Sequence, residues 1–122
     1  MSWLTSFLQM DAHRTSDGVL HNPPDSPESL LVGGPSQEMP EYVARANPVS
    51  YVGPNAPPFL IVHGDQDPLV PYHQSVLLVD ALRKASSPVT FYTVRGAGHG
   101  GFTDPKVHEL TWEFLEKHLG IC

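Results

Sequence analysis

An α/β fold with one strand–helix–strand–helix unit is predicted by three stretches in the second half of this sequence. Phe59-Leu60-Ile61-Val62 is an unbroken apolar run that stops at His63-Gly64, as a strand buried on both faces of a parallel sheet does. Residues 72–85 carry Leu78, Ala81, Leu82 and Ala85 at helical spacing, with Leu77 beside them and Asp80, Arg83 and Lys84 facing water. Residues 89–94, Val-Thr-Phe-Tyr-Thr-Val, are rich in β-branched and aromatic side chains but less continuously apolar, which suits an edge strand. Asp104-Pro105 then opens a last helix, with a capping side chain and a proline at the first position, running to about residue 119. Strands near 59–63 and 89–94, joined by a helix, make a right-handed parallel crossover the default topology.

The last helix carries two apolar stripes. Val107, Leu110 and Phe114 form one, and Trp112, Leu115 and Leu119 form another, so it needs partners on more than one side.

Residues 1–58 differ in character from residues 59–122, because nine of the 13 prolines fall before Phe59. Trp3, Leu4, Phe7 and Leu8 fit one or two turns of amphipathic helix, and Asp17-Gly18 marks a tight turn. Asn22-Pro23-Pro24 is extended, since a proline disfavours helix in the residue before it. Ser26-Pro27-Glu28 starts a short helix that Gly33-Gly34-Pro35 ends, and a second short helix covers Glu38 to Ala46. None of these pieces is long enough to stand without a surface to lie on.

At 122 residues the chain is one domain at most, and 40% apolar content is enough for a core. A net charge of −6 with singly scattered Lys and Arg argues against a nucleic-acid partner. No apolar run reaches the length of a membrane span, and Met1–Leu8 lacks the basic start of a signal peptide. The lone Cys122 cannot form an intrachain disulfide. Localisation stays open, with the cytoplasm as the default.

The chemistry concentrates at the strand ends. Asp65 and Asp67 follow the first strand, and His99 sits in Gly96-Ala97-Gly98-His99-Gly100-Gly101 after the second, 32 residues beyond Asp67. Polar residues massed beyond the carboxyl ends of parallel strands stand where open α/β sheets bind their ligands. Glycines around a histidine remove crowding and let its ring reach a neighbouring strand end. Asp67 is restricted to extended geometry by Pro68 and is assigned the role of orienting that imidazole, with Asp65 left to the turn. Turn formation and capping are the plainer alternative for both aspartates. A metal site from His63, Asp65, Asp67 and His99 is not favoured, since no histidine pair at helical ligand distance joins the carboxylates. No cofactor is expected.

His-Gly-Asp-Gln-Asp-Pro-Leu-Val-Pro at 63–71 followed by Gly-Ala-Gly-His-Gly at 96–100 resembles the C-terminal part of an α/β-hydrolase of the esterase/lipase type. More narrowly, it is similar to carboxylesterases and acetylesterases close to the feruloyl-esterase-like and prolyl-oligopeptidase-like groups. The likeness extends upstream through residues 26–35 and 47–52, and so covers nearly all of the chain. It implies a partial α/β-hydrolase fold, a small ester as substrate of the parent enzyme, Asp67 as triad acid and His99 as general base. It also implies that Leu69, Val70 and Phe102 stand near the substrate pocket.

The family's nucleophile elbow, Gly-x-Ser-x-Gly, does not occur here. The only Gly-x-Ser is Gly34-Pro35-Ser36, followed by Gln37, and Ser36 reads as a helix N-cap rather than a nucleophile. The Gly-rich oxyanion loop is missing as well. The expectation is therefore a C-terminal fragment of a serine ester hydrolase with weak or no activity alone. The rival is a non-catalytic self-associating module on the same scaffold. In either case an unpaired edge beside Phe59–Val62 predicts a homo-oligomer, formed through that edge or by exchange of the last helix.

Overall fold

In the computed structural model, which describes residues 7–120, the chain runs through α1 (Pro27–Val32), α2 (Pro40–Ala46), β1 (Phe59–Gly64), α3 (His73–Lys84), β2 (Val89–Val94) and α4 (Pro105–Leu119). Single 3-10 turns lie at Phe7–Gln9, Asp11–His13, Ser36–Glu38 and Pro48–Tyr51. The helix expected around Trp3 and Leu4 lies outside the described residues.

β1 and β2 pair in parallel, with Phe59 opposite Val89 and Gly64 opposite Val94. Both strand ends therefore finish side by side, which is what the site requires. α3 rests on both strands and α4 on β1. One expectation about β1 fails: Phe59–Val62 are only half-buried, and burial is complete only at His63 and Gly64. Among the described residues the sheet has two strands, so each strand has a neighbour on one side only.

The core also departs from the predicted helix face. Val79 and Leu82 are the buried residues of α3, with Ser75 one turn before Val79, while Leu78 is only half-buried. Leu78 instead faces a hollow of about 540 Å³ at the amino end of β1, shared with Phe59 and the Pro48–Pro57 stretch. Met10, Val32 and Val43 complete the buried apolar set on the proline-rich side, and Val94 does so at the end of β2.

The helix ends follow the capping signals. Ser26 Oγ accepts from Ser29 N at 3.2 Å, Pro27 takes the first position, and Gly33 closes α1 with φ +86°. Asp104 Oδ1 accepts from Lys106 N at 2.9 Å to cap α4, while its Oδ2 takes the Tyr92 hydroxyl of β2. That bond holds the Asp104 carboxyl below its usual range and the Tyr92 hydroxyl above its own. α2 starts at Pro40 rather than Glu38, because that proline pre-forms the first helical position. On α4, Val107, Leu110, Phe114 and Leu115 are half-buried, whereas Trp112 and Leu119 stay 53% and 64% exposed. One stripe is thus covered and most of the other is not.

The proline-rich segment is tied to the strand–helix unit at several places. Val19 N donates to Pro68 O at 2.9 Å, Ser87 Oγ donates to Gly53 O at 3.0 Å, and the His13 ring stacks on His73 with centroids 3.7 Å apart. Burial, and after it the nearby His13, pushes the His73 imidazole below its ordinary value, against a smaller opposing pull from Asp80.

Candidate active site

The site is assembled where the two strands stop. Gly64 ends β1 directly beneath the loop that follows β2: a Cβ there would lie 2.3 Å from both Ala97 O and Gly98 O. Only glycine permits this approach. The two loops are then stitched together. Gln66 N donates to Ala97 O at 3.0 Å, and Gly96 N donates to Asp65 Oδ1 at 2.7 Å. Asp65, assigned to the turn, thus bonds across to the neighbouring loop.

Asp67 is the centre of the cluster and is 2% exposed. Its Oδ1 accepts from Leu69 N at 2.8 Å and Val70 N at 2.9 Å, so the residues around Pro68 curl around the carboxylate. Its Oδ2 lies 2.9 Å from His99 Nδ1 and 3.0 Å from His63 Nε2. Burial works to raise the Asp67 pKa. The opposing bonds from Val70 N–H, His99 and Leu69 N–H, with the charge of His99, outweigh burial and hold the carboxyl below its usual range. Asp67 is therefore an anion at neutral pH.

An ionised carboxylate only accepts, so His99 Nδ1 carries the proton of that bond. In the neutral ring this makes Nε2 the acceptor nitrogen, on a side chain that is 55% exposed. The arrangement is a buried carboxylate hydrogen-bonded to an accessible imidazole.

A cleft of about 630 Å³ lies at the end of β2, lined by Tyr92, Thr93, Gly98, Gly100, Phe102 and Asp104 among others, while Asp67 and His99 are not part of its lining. Phe102 lines this cleft, and the backbone N–H groups of Leu69 and Val70 clasp Asp67.

Ser36 is not the predicted N-cap. It opens the Ser36–Glu38 turn with Pro35 at the capping position, its N–H donates to Ser29 Oγ at 3.1 Å, and the residue is fully buried. The displaced start of α2 at Pro40 removes the helix that Ser36 was to cap. A serine without solvent access is also not offered to a substrate.

In the sequence, His63 stands out only as a member of a disfavoured metal set. Its spacing of four residues before Asp67, at a strand end, was the signal that the two side chains meet. Among the described residues no group of three or more His, Cys, Asp or Glu side chains is placed to hold a metal ion. Also among them, no helix is long and apolar enough to cross a membrane.

Fold and site together define a partial α/β-hydrolase unit of the esterase class, and comparison with known proteins agrees. The BD-FAE family pattern matches residues 2–82, and the chain belongs to that family. Esterase LipC of Mycobacterium tuberculosis is 39% identical over 98 residues, covering 75% of this chain and 24% of LipC. Esterase LipQ of the same organism is 40% identical over 63 residues, covering 52% of this chain and 15% of LipQ. Among solved structures, a truncated form of a carbohydrate esterase from gut microbiota superposes with a TM-score of 0.77 at 32% identity. That match covers 93% of this chain and 39% of the esterase. A thermophilic esterase of Thermogutta terrifontis matches with a TM-score of 0.54 at 31% identity, over 65% of this chain and 30% of its own. The chain thus spans about a quarter of LipC's length and under half of either structure.

Proposed function

We propose that this chain supplies the acid and the base of a carboxylic ester hydrolase whose serine nucleophile lies outside these 122 residues. The observation that carries the reading is the 2.9 Å contact between Asp67 Oδ2 and His99 Nδ1, with the acid buried and the base exposed. In the reaction, His99 Nε2 takes the proton of a serine hydroxyl as its oxygen adds to the ester carbonyl. It then returns the proton to the departing alcohol, while Asp67 stays ionised and steadies the imidazolium. Phe102 and the cleft beside it would receive part of the ester. Gly-x-Ser-x-Gly is absent from the sequence, so the chain alone hydrolyses esters weakly or not at all.

The test uses the chain alone and a chimera in which it replaces the matching segment of LipC. The chain alone should turn over p-nitrophenyl acetate no faster than free imidazole and should take no fluorophosphonate label. The chimera should hydrolyse the ester and lose at least about a thousandfold in kcat on His99→Ala. A folded, active chimera indifferent to His99 would overturn the proposal, as would serine labelling in the isolated chain.

A second reading, self-association, is favoured by the unpaired outer edges of the two-stranded sheet and by exposed Trp112 and Leu119 on α4. Light scattering tests it, and a monomer at all concentrations would sink it.

A further inference from the structure

The oxygen that meets His99 has a second partner from within β1. His63 Nε2 lies 3.0 Å from Asp67 Oδ2 and 3.0 Å from Val70 O. A carboxylate and a carbonyl can only accept, so this nitrogen bears the proton and shares it between them. Nδ1 of the neutral ring is then an acceptor, and Ser75 Oγ, at 2.5 Å in the first turn of α3, is its donor. The ring also has an aromatic neighbour. Tyr72 packs edge-on with centroids 5.6 Å apart, and Tyr72 itself stacks on Phe91 and bonds Thr93 Oγ1 at 2.5 Å. The His63 side chain is 11% exposed, so water competes little for these bonds.

From this geometry we infer that His63 is a positioning residue for the acid–base pair, restricting Asp67 Oδ2 to the one lone-pair direction that meets His99 Nδ1. The inference deepens the ester-hydrolase reading and rests on it. Asp67 Oδ1 is filled by the Leu69 and Val70 N–H groups, and a carboxylate oxygen offers about two acceptor directions. His63 occupies one direction on Oδ2, which leaves a single one for His99. By bonding Val70 O as well, His63 ties both ends of the Asp67–Val70 curl to the strand. Ser75 sets the tautomer that makes this possible. His63 touches no reacting atom, so its effect passes through Asp67 alone.

The test needs no turnover. In the full chain with ¹⁵N-labelled histidines, the ring-nitrogen shifts of His99 report its tautomer, and the wild type should show one ring form with the proton on Nδ1. His63→Phe should lower the population of that form several-fold. His63→Gln, whose amide Nε2 is a donor at about the same reach, should restore it, which a purely space-filling role would not produce. If His63→Phe does not fold, Ser75→Ala decides the matter: redistribution of the His99 tautomers supports the inference and an unchanged signature overturns it. An unchanged signature in folded His63→Phe overturns it too, as does a His63→Gln chain no better than His63→Phe. A wild-type His99 without its proton on Nδ1 overturns both this inference and the acid–base assignment. An intact pair in wild type and His63→Phe alike overturns only the role of His63.

Discussion

Residues 65–71 and residues 95–103 leave neighbouring strand ends and lie against each other, yet side chains close the first loop and glycine shapes the second. The acid loop bends around a buried carboxylate that receives four hydrogen bonds, two from its own backbone and two from histidines. The histidine loop carries Gly96 and Gly101 at φ +72° and +63°, and its His99 side chain is more than half exposed. Asp67 is held by several bonds and closed to solvent, whereas the His99 ring stays reachable. The second loop is most tightly constrained where it crosses over Gly64.

That crossing gives the largest expected effect. Gly64→Ala places a methyl 2.3 Å from two carbonyl oxygens of the histidine loop, and backbone atoms cannot step aside as a flexible side chain can. A loss of about 3 kcal/mol or more is expected, at the upper end for overpacking. Urea denaturation measures it, and the His99–Asp67 contact should loosen in the folded fraction. A wild-type midpoint would mean that the loops are not in contact as described.

Asp67→Asn probes the other loop. The amide oxygen can still accept from Leu69 and Val70, but its NH₂ then faces the N–H groups of His63 and His99. The His99 N–H loses its charged acceptor and the His63 N–H keeps only Val70 O, at a cost of about 2 kcal/mol. The charge adds a pH dependence whose sign follows from the lowered folded pKa. The unfolded chain binds the proton first as pH falls, so Asp67 contributes stability above the ordinary carboxylate pKa. That contribution is lost as pH falls through the lower folded value. Acid titration of stability should therefore fall more steeply in wild type than in Asp67→Asn across that window. Parallel curves would show that the carboxylate is not held as an anion by its neighbours.

The contact between Asp67 and His99 was legible because both sit in punctuated motifs, Asp67 before Pro68 and His99 among glycines, where residue type and local conformation point the same way. The caps at Ser26 and Asp104 were legible for the same reason. The role of His63 was hidden because it continues an apolar strand, and its partners Ser75 and Val70 O come from elements whose placement depends on the tertiary fold. Val79 was missed for a related reason: periodicity marks an apolar face, and the neighbouring strands decide which edge of it goes inward. The partial exposure of Phe59–Val62 depends on how many strands flank β1, which no local pattern encodes. Ser36 failed as a cap because Pro40 is the stronger helix start.

Within the histidine loop the glycines divide into two kinds, and Gly96→Ala tests the first. Its φ of +72° costs an alanine about 1 kcal/mol. The strain falls where Gly96 N donates to Asp65 Oδ1, so the stitch between the loops should weaken along with stability. Thermal unfolding should show a drop smaller than that of Asp67→Asn. No drop would mean that the loop reshapes freely and that glycine does not fix its conformation at this position.

Gly100→Ala tests the second kind and carries the smallest expected effect. Gly100 has no positive φ, and nothing lies within 4 Å of the position a methyl would take. Alanine is then compatible with the folded backbone while restricting the unfolded chain, so stability should stay level or rise by up to about 0.5 kcal/mol. The position adjoins His99 and lines the cleft that also holds Phe102, so a methyl here narrows the approach without straining the loop. In the LipC chimera the same change should raise KM for bulky esters more than for p-nitrophenyl acetate and leave kcat for the small ester near wild type. A loss of stability would place Gly100 with Gly96 as a conformational glycine. An unchanged KM for every ester would remove the cleft from the substrate's path.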